Sequence, residues 1–216
     1  MTLVAIPTEQ TTAATDLLIA GLAVAAFIYL GRNGPTGLRG RLWRSVLMFL
    51  AVAAFLGAIG HGIVLGDGAD RVLWGLIYLP LALLVAMFLA ASIRDLAGDN
   101  AGRRSVSALI VVALCFYAYA LLDPDNFLPF ILYELAAMTL SLTSFLWITK
   151  RRELRGAGWI TAAIAVNILA AAIQAEGSLG FTLIWSFDHN GVFHLVQMAG
   201  LGLLVYGLAA GAGESD

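Results

Sequence analysis

The stretch "FDHNGVFHLVQMAGLGLLVYGLAAG", residues 187–211, opens with polar side chains and continues as an apolar run, 198–211, without a single charge. A helix that crosses a membrane needs roughly 20 mostly apolar residues, and this stretch meets that length. His189 and His194, two of the three histidines in the chain, lie in its first part. The stretch therefore predicts a membrane helix with polar chemistry near one end.

The composition of the whole chain agrees with a membrane protein. Of the 216 residues, 61% are hydrophobic and 12% are charged, whereas soluble domains carry about 25% charged residues. Seven segments qualify as spans, at about 16–31, 43–65, 71–93, 105–122, 127–149, 157–175 and 187–210. We expect an all-α polytopic protein, a single seven-helix transmembrane domain over 1–216. A bacterial inner membrane is the expected location.

The residue content and the positions of the spans exclude several classes of protein. Cys115 is the only cysteine, so a disulfide framework and a cysteine metal site are excluded. Lys150, the only lysine, lies between spans 5 and 6, which excludes a retinal Schiff base. The spans leave no room for a nucleotide domain, and no basic tract suggests nucleic acid as a partner. The first fifteen residues lack the positive region of a cleaved signal peptide.

The basic residues predict an orientation. Eleven of the twelve lie in the loops after spans 1, 3 and 5 or at their edges: Arg32, Arg39, Arg41, Arg44, Arg94, Arg103, Arg104, Lys150, Arg151, Arg152 and Arg155. Only Arg71 lies on the other side. Because cytoplasmic loops carry the excess of Lys and Arg, the N-terminus is expected outside and the C-terminus inside.

Polar residues of the spans gather at one depth. His61 lies late in span 2, and His189 and His194 lie early in span 7, so all three histidines fall near the outer surface. Five more polar residues lie at a similar depth: Asp70, Glu134, Asn167, Gln174 and Gln197. Ionisable groups inside a membrane are costly and usually face the interior of the bundle. This layer predicts an enclosed polar pocket in the outer half.

Purely structural roles are open for several of these residues. A membrane histidine often only bonds one helix to another, and Asn167 or Gln197 can do the same. Asp188 suits the N-cap of span 7. Glu134 has no arginine or lysine at its depth, so it must be protonated, bound to a cation or paired with a charged histidine.

Three imidazoles at one depth also suit a metal. Three neutral histidines and a water form the open site of a catalytic zinc, which activates that water. The expected ligands are His61, His189 and His194, and Asp70 or Glu134 could move protons beside them. His189 and His194 are five residues apart, about 140° around a regular helix. His189 can therefore join only from a non-helical opening turn.

The motif around these residues resembles the superfamily of alkaline ceramidases, adiponectin-type PAQR receptors and GPI-remodelling membrane proteins. That pattern has a serine and a histidine one turn apart in span 2, an aspartate near span 3, and H-x-x-x-H opening span 7. The GPI-remodelling branch has D-x-H-x-x-W-H, and this chain has D-H-N-G-V-F-H at 188–194. His61 and His194 match histidines of the pattern, Asp188 matches its last aspartate, and Asp70 matches the aspartate near span 3.

Two positions depart from that pattern. Asn190 stands where the first histidine of span 7 is expected, and Gly57 stands where the serine is expected. The resemblance implies a zinc-dependent hydrolase inside the membrane whose substrate is a lipid amide or ester, with ceramide as the leading candidate. Side chains expected around the metal and substrate are Asp188, Asn190, Gln197 and Asn167.

Two alternatives of other classes stay open. Histidines on facing helices can ligate haem axially, as in a small electron-transfer bundle. A transporter or receptor for a lipid or small molecule would need broken helices near the membrane centre. Pro80 and Pro129 are the only hints of such breaks.

Overall fold

The computed structural model describes residues 2–123, 126 and 128–214, and within them the architecture is all-α. The helices are α1 Pro7–Asn33, α2 Gly37–Gly62, α3 Asp67–Ala97, α4 Asp99–Ala120, α5 Leu128–Arg151, α6 Ala157–Glu176 and α7 His189–Ala210. A short hairpin, β1 Phe181–Thr182 and β2 Ser186–Phe187, joins α6 to α7, and a 3₁₀ turn covers Ala212–Glu214.

All seven helices are long and apolar enough to cross a membrane. They contain between 20 and 31 residues, and at about 1.5 Å per residue the shortest spans about 30 Å, the thickness of the hydrocarbon core. The predicted all-α fold with seven spans is therefore confirmed. We call the upper end of the bundle the one where α1, α3, α5 and α7 begin and where α2 and α6 end.

Six of the helices close into a ring. Each helix contacts the next in the order α1, α2, α3, α5, α6, α7, and α7 contacts α1 to close the ring. Helix α4 lies outside it and packs against α3. In the most apolar stretch of α3, 67% of the residues are buried, against only 11% in that of α4. The interior of the ring is where polar side chains of different helices can meet.

The first helix begins earlier than predicted, at Pro7 rather than near residue 16. Proline suits the first helical position because its missing N–H needs no partner there. The polar run that follows is helical, and its hydroxyls are satisfied inside the helix: Thr11 Oγ1 donates to the Pro7 carbonyl and Thr15 Oγ1 donates to the Thr11 carbonyl. Asp16 therefore lies well inside a span instead of at its edge.

The N-terminal segment fastens α1 to α2. Val4 N donates to the Gly62 carbonyl over 3.1 Å, and Val64 N donates to the Thr2 carbonyl over 2.9 Å. Gly62 ends α2, three residues before the predicted end of span 2. These bonds hold the first turn of α1 beside the last turn of α2. Phe127, the first residue of the fifth predicted span, lies outside the described residues.

The opposite, lower end is closed by a buried ion pair. Arg39 Nε donates to Asp95 Oδ1 over 3.0 Å, and both side chains are fully buried. Trp43 Nε1 donates to the same carboxylate over 3.1 Å, and Arg39 Nη1 donates to the Gly211 carbonyl over 2.9 Å. Arg39 was assigned to a cytoplasmic loop from the sequence. It lies instead in the first turn of α2, where it ties α2, α3 and the end of α7 together.

Candidate functional site

A cavity of about 120 Å³ lies inside the ring near its upper end. Its polar lining comes from six helices: Asp16 of α1, His61 of α2, Trp74 of α3, Glu134 of α5, Gln174 of α6, and His194 and Gln197 of α7. Neither lysine nor arginine is among the described residues that line it. The cavity brings together five side chains of the predicted polar layer and adds a carboxyl group from α1.

The added carboxyl group belongs to Asp16 and faces His194. Asp16 Oδ1 lies 3.4 Å from His194 Nε2, and both side chains are more than nine-tenths buried. The pair joins α1 to α7 across the first and last helices of the ring. A buried carboxyl group beside an imidazole can hold or pass on a proton, which makes the pair the first candidate for chemistry.

Thr15 orients the same imidazole from the other side. Its hydroxyl oxygen lies 2.8 Å from His194 Nδ1, and it also lies 3.0 Å from the Thr11 carbonyl and 2.9 Å from the Thr12 carbonyl. A hydroxyl has one proton, and we assign it to these carbonyls. Nδ1–H of His194 then donates to Thr15, and the lone pair of Nε2 faces Asp16.

A second histidine is held in a similar way. His61 Nδ1 lies 2.7 Å from Glu9 Oε2, a residue of the first turn of α1. The His61 ring also meets the Trp74 ring edge to face, with centroids 5.2 Å apart. The carboxylate of Glu9 accepts from Nδ1 and leaves Nε2 available. Both cavity histidines thus have Nδ1 engaged by an oxygen of α1.

Glu134 and Gln197 have free polar groups at the cavity. Neither side chain forms a hydrogen bond or ion pair with any part of the chain that the structure describes. Both residues are half-buried, and their polar atoms keep some accessible surface. The two side chains are therefore available to a molecule that enters the cavity.

Gly57 makes room for Asp16. A β-carbon added at Gly57 would lie 2.9 Å from Asp16 Oδ2, closer than real side chains approach. The resemblance expects a serine at this position of α2. In this chain the carboxyl group of Asp16, delivered from α1, occupies the space that such a side chain would need.

His189 lies apart from the cavity lining. It is the first residue of α7, and Asp188 is the N-cap, with its carboxylate accepting from Gly191 N over 2.9 Å. Thr12 Oγ1 donates to the same carboxylate over 3.3 Å. The structure thus has Asp188 in the capping role considered for it. The non-helical turn that His189 would need to reach a shared metal is absent from this described segment.

Three other predicted residues also lie off the lining. Asn190 Oδ1 accepts from Gln174 Nε2 over 3.3 Å, which joins α7 to α6. Asn167 Nδ2 donates to the Ala163 carbonyl over 2.8 Å. It packs so closely on α7 that a β-carbon at Gly200 would lie 2.4 Å from it. Asp70 lies in the first turn of α3.

Zinc, the metal that the resemblance implies, does not fit the residues as they are placed. Between residues 2 and 214, apart from the undescribed positions, no three His, Cys, Asp or Glu side chains form a group that can hold a metal ion. His61 and His194 share the cavity, but His189 does not line it. Zinc binding stays a prediction of the resemblance, and we derive no step through it.

Three residues of the site were missed from the sequence: Glu9, Thr15 and Asp16. All belong to the polar run "TEQTTAATD", residues 8–16, of which only Asp16 was assigned to the first span, at its edge. The signal that could have found them is the spacing of Thr11 and Thr15, whose hydroxyls can bond to the carbonyl four residues earlier in a helix.

Comparison with known proteins gives a family and no activity. No curated protein and no solved structure matches the chain. A model of a family of unknown function, DUF6962, matches residues 11–212, and the chain therefore belongs to that family.

Proposed function

We propose that the protein is a membrane-embedded hydrolase that cleaves the amide or ester bond of a lipid. The observation that carries the proposal is the Asp16–His194 pair, which faces a cavity that also receives the free carboxyl group of Glu134. Two titratable groups with different surroundings at one cavity are the usual arrangement for acid–base catalysis. The lipid character of the substrate follows from the resemblance and from the position of the site inside the membrane.

The proposed reaction needs one water and one acyl group. The Asp16–His194 pair removes a proton from the water as its oxygen attacks the carbonyl carbon. The bond between the acyl carbon and the nitrogen or oxygen then breaks, and Glu134 gives its proton to the leaving group. The proton held by the Asp16–His194 pair returns to Glu134 across the shared cavity before the next turnover. The products are a carboxylic acid and an amine or alcohol. Gln197, whose amide is free, is a donor for the carbonyl oxygen during the attack.

The size of the cavity suits this chemistry. A volume of about 120 Å³ equals roughly four waters at about 30 Å³ each. It holds an acyl carbonyl and a water, while most of the lipid stays outside. Sites for cofactors and drug-sized ligands have roughly 300–1,000 Å³. The cavity therefore does not favour the haem alternative.

The test is hydrolysis of lipids by the purified protein in nanodiscs. Mass spectrometry would follow the release of fatty acid from ceramides, other lipid amides and glycerol esters in water enriched in ¹⁸O. We expect one ¹⁸O atom in the released acid, and loss of release in Asp16→Asn. Asp67→Asn is the control and should keep the activity, because Asp67 is an exposed residue in the first turn of α3, also at the upper end of the bundle. Equal release from wild type and Asp16→Asn would contradict the proposal.

A second candidate function is the binding or transport of a small cation. Its supporting observation is the lining itself, which has two carboxyl groups and no lysine or arginine among the described residues. Equilibrium binding of monovalent cations and small amines to the nanodisc protein would test it. Binding that disappears in both Asp16→Asn and Glu134→Gln, without release of fatty acid from any lipid, would favour this candidate over hydrolysis.

A further inference from the structure

The hairpin between α6 and α7 presents an apolar tip. Leu183, Ile184 and Trp185 are 82%, 80% and 67% exposed. The stem below them is ordered, since Phe181 pairs with Phe187 and the two rings stack with centroids 4.8 Å apart. Adjacent large apolar side chains on a rigid turn at a membrane boundary are typical of insertion into lipid, and Trp is enriched at that depth.

A groove runs below this hairpin along the outside of the bundle. It has a volume of about 420 Å³ and lies between α1, α7 and the hairpin. Gln10 and Ser186 contribute polar groups to its upper part, whereas Leu18 and Leu195 line its lower part. From Gln10 to Leu18 the groove descends about 12 Å along α1, at 1.5 Å per residue. Pro7, Ile184, Trp185 and Phe187 also line its upper part, so the groove is mainly apolar along its length, and its polar side chains lie only above Leu18.

One residue separates the groove from the cavity. Thr15 lines the groove, and its hydroxyl oxygen contacts His194 Nδ1. Asp16, the next residue, lines the cavity. Neighbouring residues of a helix point about 100° apart, so α1 presents one side to the groove and another to the proposed site.

We propose that this groove binds one acyl chain of the lipid substrate, taken from the leaflet that surrounds the upper end. That the bound lipid is the substrate rests on the proposed function, whereas the binding of an acyl chain in the groove does not. Leu18 and Leu195 are 57% and 39% exposed on the side of the bundle that faces lipid. A chain can therefore slide into the groove from the membrane without crossing water, and it brings its carbonyl next to α1 and α7.

The groove can be filled by one substitution with a close control. Leu18→Trp places a large ring in the groove, while Leu17→Trp places the same ring on the next residue, which is 54% exposed and outside the groove lining. A phosphatidylcholine with a diazirine near the middle of one chain would be photolysed with each variant in nanodiscs. Labelled peptides would then be identified by mass spectrometry, and release of fatty acid would be measured for C6 and C16 substrates.

We expect wild type and Leu17→Trp to be labelled at the α1 and hairpin peptides, and Leu18→Trp to lose at least fivefold of that label. We also expect Leu18→Trp to lower turnover of the C16 substrate and to spare the C6 substrate. If Leu17→Trp and Leu18→Trp reduce the labelling equally, the labelled lipid is ordinary surrounding lipid and not a chain bound in the groove, and the inference is overturned. Groove labelling that Leu18→Trp removes, with no hydrolysis of any lipid, would uphold the groove and contradict the proposed function. Hydrolysis of a lipid without labelling of the groove would uphold the proposed function and overturn the groove inference.

Discussion

His194 is held between two consecutive residues of α1, with Nδ1 2.8 Å from Thr15 Oγ1 and Nε2 3.4 Å from Asp16 Oδ1. The imidazole therefore cannot turn without losing one of these partners. Nδ1 of His194 therefore donates to the Thr15 hydroxyl, and Nε2 faces the carboxyl group of Asp16. This contact joins the first and last helices of the ring at the cavity.

Thr15→Val should leave the fold intact and disturb the imidazole. Valine has nearly the same shape but no oxygen, so His194 Nδ1–H loses its acceptor, a change of about 1–3 kcal/mol for a buried donor. We expect a shift in the ¹⁵N resonances of His194 in histidine-labelled protein and a lower turnover. Thr15→Ser keeps the oxygen and should restore both. Identical spectra for wild type and Thr15→Val would show that the hydroxyl does not set the tautomer.

Gly57→Ala should displace Asp16. The new methyl group would lie 2.9 Å from the carboxylate, and overpacking of this kind typically costs about 1–3 kcal/mol. We expect loss of most activity together with a lower melting temperature. Gly202→Ala is the control, because nothing lies within 4 Å of a β-carbon there. If Gly57→Ala is as active as Gly202→Ala, the position of Asp16 is not required.

Glu134→Gln should keep the fold, since the amide has the same volume and still forms hydrogen bonds. If Glu134 donates the proton to the leaving group, turnover should fall by about 10²–10⁴-fold, the usual scale for a general acid. The measurement is fatty acid release together with thermal unfolding. Unchanged turnover would assign Glu134 to helix packing and leave the chemistry to α1, α2 and α7.

Arg39→Met should destabilise the lower end without touching the site. Removing one member of a buried ion pair typically costs about 3–5 kcal/mol because the other charge stays buried. Here Asp95 keeps a second partner, since Arg94 Nη1 lies 3.2 Å from its Oδ1, and we expect a loss near the lower end of that range. We expect a clear fall in melting temperature, whereas Arg41→Met, on the exposed side of the same turn, should change it little. Equal melting temperatures for the two variants would contradict a structural role for the pair.

The orientation of the chain is tested from the N-terminal side. In a Cys115→Ser background, Thr8→Cys should react with an impermeant thiol reagent in intact cells, because the basic loops predict an external N-terminus. Labelling only after lysis would reverse the orientation and place the cavity in the inner half of the membrane.

Most of the fold was predictable because seven apolar runs of sufficient length leave few choices in a membrane. The depth of His61 and His194 followed from the span order alone. The pairing of His194 with Asp16 did not, since the polar residues 8–15 do not read as part of a membrane span and Asp16 was assigned only to the edge of one. Helical hydroxyls bonded to backbone carbonyls no longer need water, and this is why the run can enter the membrane.

The buried Arg39 was missed for a related reason. Counting basic residues assigns them to loops, but Asp95 lies fifty-six positions later in the chain, and no local pattern connects the two. The hairpin between α6 and α7 is only two residues long in each strand, too short for a period-two signal. The ion pair depends on a contact between distant segments, whereas the hairpin is local but too short to leave a pattern in the sequence.

Asp16 and His194 are proposed to act as one unit in the reaction. Turnover of a lipid substrate should be measured for Asp16→Asn, His194→Gln and the double variant in the same nanodiscs, since groups that act together have strongly non-additive effects. We expect each single variant to lose about 10²–10⁴-fold in turnover and the double variant to lose no more than the worse single one. Losses that multiply in the double variant, or an active Asp16→Asn, would contradict this proposal.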